Sequence, residues 1–217
     1  MPIFASVSRI GRMGGVLTAD QIERFVTDGF VRLPEAFPRS LAEECRAFLW
    51  RETRLDADDP ATWTEPVVRL GGYSDEPFQR AVTTERLHGA FDQLVGPGRW
   101  APRVGLGTFL IRFPHPADPG DTGWHMDAGY TPEGETGYWL NLNSHGRALL
   151  MLFLFSDVDA ETGPTRIKVG SHLDVPSFLQ SAGDKGMDVF ALCVAMNKAD
   201  RLDVTGQPAG TRHRAGR

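Results

Sequence analysis

The chain has 217 residues, 41% of them hydrophobic and 24% charged, with a net charge of -5. That length and composition suit one globular domain with a sizeable core. The acidic balance speaks against nucleic acid or an anionic membrane as the main partner, since both reward a basic surface. Two cysteines, Cys45 and Cys193, stand far apart outside any CxxC pair. This pattern excludes a disulfide framework or a cysteine-based zinc site and fits a reducing cytoplasm.

Residues 1–16 read as a loose N-terminal arm without the apolar core of a signal peptide. In "LTADQIERFVTDGF", Thr18 is placed to cap a helix, Ile22, Phe25 and Val26 share one face, and Gly29 ends it. "FVRL" after it reads as a short strand. "PRSLAEECRAFLWRET" carries Leu41, Cys45, Phe48 and Leu49 as a helical stripe, with Ser40 as a cap. An acidic loop, "DADDPATWTEP", precedes a third helix in "TTERLHGAFDQLVG", which "GPGRW" stops.

The pattern changes near residue 101. "RVGLGTFLIRF", "GYWLNLN", "RALLMLFLFSDV" and "TRIKVG" read as strands separated by Pro/Gly/Asp turns, and "SHLDVPSFLQSAG" as a turn into a helix. The run "ALLMLFLF" (148–155) is too short to span a bilayer as a helix, which needs about 20 residues. Helices first and short strands second predict an α+β fold with a β-sandwich or jelly-roll core, formed by one domain over 17–210.

The stretch "GWHMDAGY" (123–130) places His125 and Asp127 two residues apart. On an extended strand, side chains at i and i+2 point to the same side. A facial-triad iron site needs two imidazoles and a carboxylate on one face, with open positions for ligands. His-x-Asp supplies two of those three ligands. With six histidines in the chain the bare pair also arises by chance, so its setting between strands, after a Pro/Gly loop and Trp124, gives it weight. Trp124, Tyr138 and Trp139 are candidates for a substrate pocket, with the core as their commoner fate. Arg112 and Arg147 are candidate anion contacts, with surface or ion-pair roles as theirs. His88, His115 and His145 read as turn or satisfied polar residues. "GLGT" and "GRMGGV" lack the residues of a dinucleotide or phosphate loop, and there is no Gly-x-Ser-x-Gly elbow.

Three stretches together resemble the phytanoyl-CoA dioxygenase family of iron(II)- and 2-oxoglutarate-dependent oxygenases. They are "LTADQIERFVTDGFVRLPEAF" (17–37), "WHMDAGY" (124–130) and "SDVDAETGPTRIKVGSH" (156–172), in the order and spacing of that family. The resemblance implies a double-stranded β-helix, with His125 and Asp127 as catalytic iron ligands and His172 as a turn residue. It implies Fe(II) as cofactor, 2-oxoglutarate as co-substrate, and oxygen-dependent hydroxylation of a small molecule. The family's tryptophan near the co-substrate aligns with Leu152.

The family places a second iron histidine, and then an arginine for 2-oxoglutarate, on strands after Gly-Ser-His. Here "LDVTGQPAG" (202–210) resembles the approach to that strand, and "TRHRAGR" (211–217) follows. His213 lacks apolar alternation around it and sits between Arg212 and Arg214, a poor setting for a dication. This pattern predicts a truncated or out-of-frame C-terminus, an incomplete ligand set and marginal stability. The alternative expectations are a non-catalytic jelly-roll protein that binds metal or a small molecule, and an unrelated interaction module.

Overall fold

The computed structural model describes residues 15–143, 149–202 and the backbone of 207–208. Helices dominate the first half and short antiparallel pairings the second, an α+β arrangement. Helix α1 (Ala19–Asp28) begins at a capping box. The Thr18 hydroxyl accepts the Gln21 amide, and the Gln21 side chain accepts the Thr18 amide. It ends at Gly29, whose φ of 87° suits a residue without Cβ. The "FVRL" stretch that follows forms no ladder.

Helix α2 (Arg39–Thr53) starts from Pro38 rather than Ser40, and it buries Leu41, Cys45 and Leu49 as the stripe predicts. Strand β1 (Val67–Leu70), helices α3 (Glu76–Val82) and α4 (Glu85–Val95), and strand β2 (Phe109–Arg112) follow. The Thr84 hydroxyl caps α4 by accepting the Leu87 amide. Strands β1 and β2 pair antiparallel with Val67 opposite Arg112 and Arg69 opposite Leu110. The inner face of this ribbon, with Leu70, Phe109 and Ile111, packs on a core of Leu41, Cys45, Leu49, Phe78 and Ala81.

The second half contains β3 (Trp139–Leu140), β4 (Arg166–Ile167), α5 (Ser171–Leu179), β5 (Met187–Asp188), α6 (Val189–Lys198) and β6 (Gln207–Pro208). Strand β3 pairs with β5, and β4 with β6, both antiparallel. Leu179, Leu192 and Met196 form a second core, joined by Met126, Leu140, Val175, Phe178, Met187 and Leu202. The Asp188 carboxylate caps α6 by accepting the Phe190 and Ala191 amides.

Two expectations take a different form. The three sheets among the described residues are two-stranded, so the architecture is α+β, and the larger sheets of a jelly roll are not formed among those residues. The apolar stretch 149–155 is extended with alternating exposure, yet it belongs to no ladder among the described residues. Phe153 and Phe155 turn inward onto Phe37, Phe153 stacked at 5.7 Å and Phe155 tilted at 5.4 Å between ring centroids. Leu150, Leu152 and Leu154 point outward at 56, 50 and 43% exposure. The period-2 pattern thus survives without the pairing that period 2 suggests. No helix among the described residues is long and apolar enough to cross a membrane.

Candidate metal-ligand strand and its arginine-held loop

Residues 124–128 alternate in exposure. Trp124, Met126 and Ala128 are half-buried, while His125 and Asp127 are exposed. Met126 packs against the second core, and this contact holds the stretch with its polar positions outward. The exposure alternates with the period that His-x-Asp predicts, without an assigned strand at these residues. Two residues on, the chain joins the sheet through an isolated antiparallel bridge between Tyr130 and Trp139. Cys193 on α6 lies beside the Met126 backbone. Burial raises the Cys193 pKa, so the thiol stays protonated at neutral pH.

The loop before His125 is held by arginines from two sheets. Arg112 donates to Asp121 at 2.9 Å, and Arg69 donates to its other carboxylate oxygen at 3.0 Å. Arg69 also donates to the Pro119 carbonyl at 3.1 Å. From β4, Arg166 donates to the Thr122 carbonyl at 3.2 Å, with its guanidinium 5.3 Å from the Trp124 ring centroid. Because cross-strand partners share a face, the β1–β2 register puts Arg69 and Arg112 together on the outer side. Arg112, a candidate anion contact, thus takes the ion-pair role.

The other described histidines make structural contacts. His172 makes a 2.9 Å hydrogen bond through Nε2 to the Val26 carbonyl at the end of α1, and its ring lies against Gly29. Gly170 donates to the Asp28 carbonyl at 2.8 Å beside it. Gly170 and the first turn of α5, which carries His172 where the resemblance implies a turn residue, thereby close the end of α1. His88 bonds the Val82 carbonyl and lies 4.7 Å from the Trp100 ring, and His115 accepts the Ala117 amide within its turn. His145, Arg147 and His213 lie outside the described residues.

Trp139 sits on β3 with Lys185 4.9 Å from its ring centroid, and Tyr138 is largely exposed. Leu152 faces solvent on the outward side of 149–155. Sequence reasoning did not single out Asp121, Arg69 or Arg166. Their association depends on the β1–β2 register and on the approach of β4, neither of which has a local signal.

His125 and Asp127 supply one imidazole and one carboxylate, a donor pair suited to two positions around a divalent iron. Among the described residues, no group of three or more His, Cys, Asp or Glu side chains is arranged to hold a metal. The pair fits two of the three positions of a facial triad, and no third donor from the described residues completes it. No family model, curated protein or solved structure matches the chain.

Proposed function

We propose that this protein is an iron(II)- and 2-oxoglutarate-dependent oxygenase of the phytanoyl-CoA dioxygenase type, acting on a small molecule in the cytoplasm. The observation that carries the reading is the exposure of both His125 and Asp127 on either side of Met126, which packs on the second core. The sequence resemblance over 17–37, 124–130 and 156–172 supports it, as does the engagement of His172 with the Val26 carbonyl at the end of α1.

In this reading His125 and Asp127 hold the ion, with the remaining positions for the oxo acid, oxygen and a further donor. Bound iron supplies the oxygen activation that couples decarboxylation of 2-oxoglutarate to substrate hydroxylation. The chain's own residues set the geometry. Met126 anchors the ligand stretch to the second core, and Asp121, gripped by Arg69 and Arg112, fixes the loop leading into it. Trp124 and Arg166 stand at the entrance of that stretch.

The experiment is oxygen-dependent release of carbon dioxide from 1-labelled 2-oxoglutarate with added iron(II). The expected result is release by the wild type that falls at least tenfold in His125→Ala and Asp127→Ala. Release that is unchanged in both variants would overturn the assignment. A second reading, a non-catalytic metal- or small-molecule-binding protein, is favoured by the two-donor set among the described residues. Its signature is iron binding that depends on His125, with no carbon dioxide released.

A further inference from the structure

We propose that the stretch 149–155 is a docking edge for a second copy of this chain, which pairs with it antiparallel about a two-fold axis at Leu152. The proposal stands apart from the oxygenase reading and needs no metal.

The stretch has the side-chain pattern of a strand without a strand's partner. Phe153 and Phe155 face inward, while Leu150, Leu152 and Leu154 face outward at 56, 50 and 43% exposure. Phe155 lies 6.0 Å from the Phe78 ring and 6.3 Å from the Phe109 ring between centroids, and Phe153 stacks on Phe37. The first core thus holds the segment in place, so pairing orders little that is not already ordered. Yet its amides and carbonyls make no backbone hydrogen bond among the described residues. Such groups beside a core favour a partner, and an extended segment offers them as a template for another strand. Edges that must stay unpaired are commonly blunted by Lys or Pro, and residues 149–155 include neither, nor any other charge.

The sequence points to the occupant. An antiparallel copy centred on Leu152 sets Leu150 against Leu154, Met151 against Phe153 and Leu149 against Phe155. Every pair is apolar, and each side chain meets one on its own face of the ribbon. In sequence, the same register carries on to set Arg147 against Asp157, opposite charges at both ends. Asp157 already pairs with Arg39 at 3.2 Å, but its side chain is 89% exposed and open to a second cation. A shift of one residue would put the copy's leucines on the wrong face. A shift of two would set Asp157 against Leu149, or Arg147 against Phe155. The pairing is isologous, so it closes at two copies. A seven-residue edge is small, so the dimer is weak, forming at high micromolar and dissociating at low micromolar concentration.

The test is sedimentation velocity of the whole chain across that concentration range. The wild type is expected to pass from monomer to dimer, with amide exchange within 149–155 slowed in the dimer. Leu152→Lys puts two like charges opposite each other at the axis and should weaken association at least tenfold, as should Leu152→Glu. An equimolar mixture of these two variants should associate again, because Lys then faces Glu. Leu173→Lys, at a 63% exposed leucine on α5, should associate as the wild type does. Unfolding midpoints at low micromolar concentration, where the chain is monomeric, show whether each variant is folded. If the Leu152 variants are not, Leu150→Lys with Leu154→Glu in one chain should dimerise, and Leu150→Lys with Leu154→Lys should not. A wild type that stays monomeric throughout, larger assemblies in place of a dimer, a dimer that the like-charge variants leave intact, or mixing without recovery would overturn the proposal.

Discussion

Gly29 and His172 show how two residues far apart in sequence become one feature. Gly29 ends α1 at φ 87°, and a Cβ built there would lie 2.3 Å from His172 Nδ1. Gly29→Ala therefore meets both a left-handed backbone penalty of about 1 kcal/mol and a clash with the ring. Chemical denaturation should show a loss of about 2 kcal/mol or more. His172→Ala removes one capping bond and should cost about 1 kcal/mol while leaving iron(II) affinity unchanged. A large loss of iron affinity in that variant would return His172 to the ligand set. The sequence resemblance implies a turn at Gly-Ser-His; in the fold Gly170 precedes α5, whose first turn carries His172 against the end of the first helix.

Cys45 carries a second residue-scale prediction. It is fully buried, and burial pushes its thiol up to about 11 from 9.0, with Glu44 adding to the rise. The folded state thus holds the proton more tightly than the unfolded state. The stabilisation is complete below about pH 9 and is lost as pH rises toward 11. Denaturation across that window should show stability falling with pH, and Cys45→Ala should flatten the slope. An unchanged slope in the variant would place the effect elsewhere.

Among the elements, helices with side-chain caps were the most legible. Thr18, Gln21 and Gly29 mark both ends of α1, and Thr84 marks the start of α4, because capping is local chemistry written within a few residues. Helix α6 escaped sequence reading although Asp188 offered a cap signal, since its apolar residues read equally as strand. The stretch 149–155 shows the reverse. Its alternation is real, but alternation states which side chains are inward, not whether a neighbour pairs with the backbone. Two substitutions separate these features. Phe153→Ala should cost about 2 kcal/mol, less than the about 3–5 for a fully buried phenylalanine, because Phe153 is half-buried. Leu152→Lys should leave the denaturation midpoint within about 0.5 kcal/mol, as expected for an exposed position. A large loss there would mean that a neighbouring strand covers Leu152.

Across the whole molecule, two cores divide the work. The first joins α2, α3 and the inner face of β1–β2; the second joins α5, α6 and the stretch holding Met126. The candidate site lies where the arginine-held loop from the β1–β2 ribbon hands over to Met126 in the second core. His125 and Asp127 were legible because their spacing alone places two donors on one side of an extended chain. Asp121, Arg69 and Arg166 were not, because they meet through tertiary contacts between segments distant in sequence. The central claim is that His125 and Asp127 bind iron that 2-oxoglutarate then chelates. The most direct measurement is an anaerobic iron(II) titration with 2-oxoglutarate, following the weak visible absorption of the chelated oxo acid. The account predicts a saturable band in the wild type that disappears in His125→Ala. No band in the folded wild-type protein, or a band of equal strength in the variant, would contradict it.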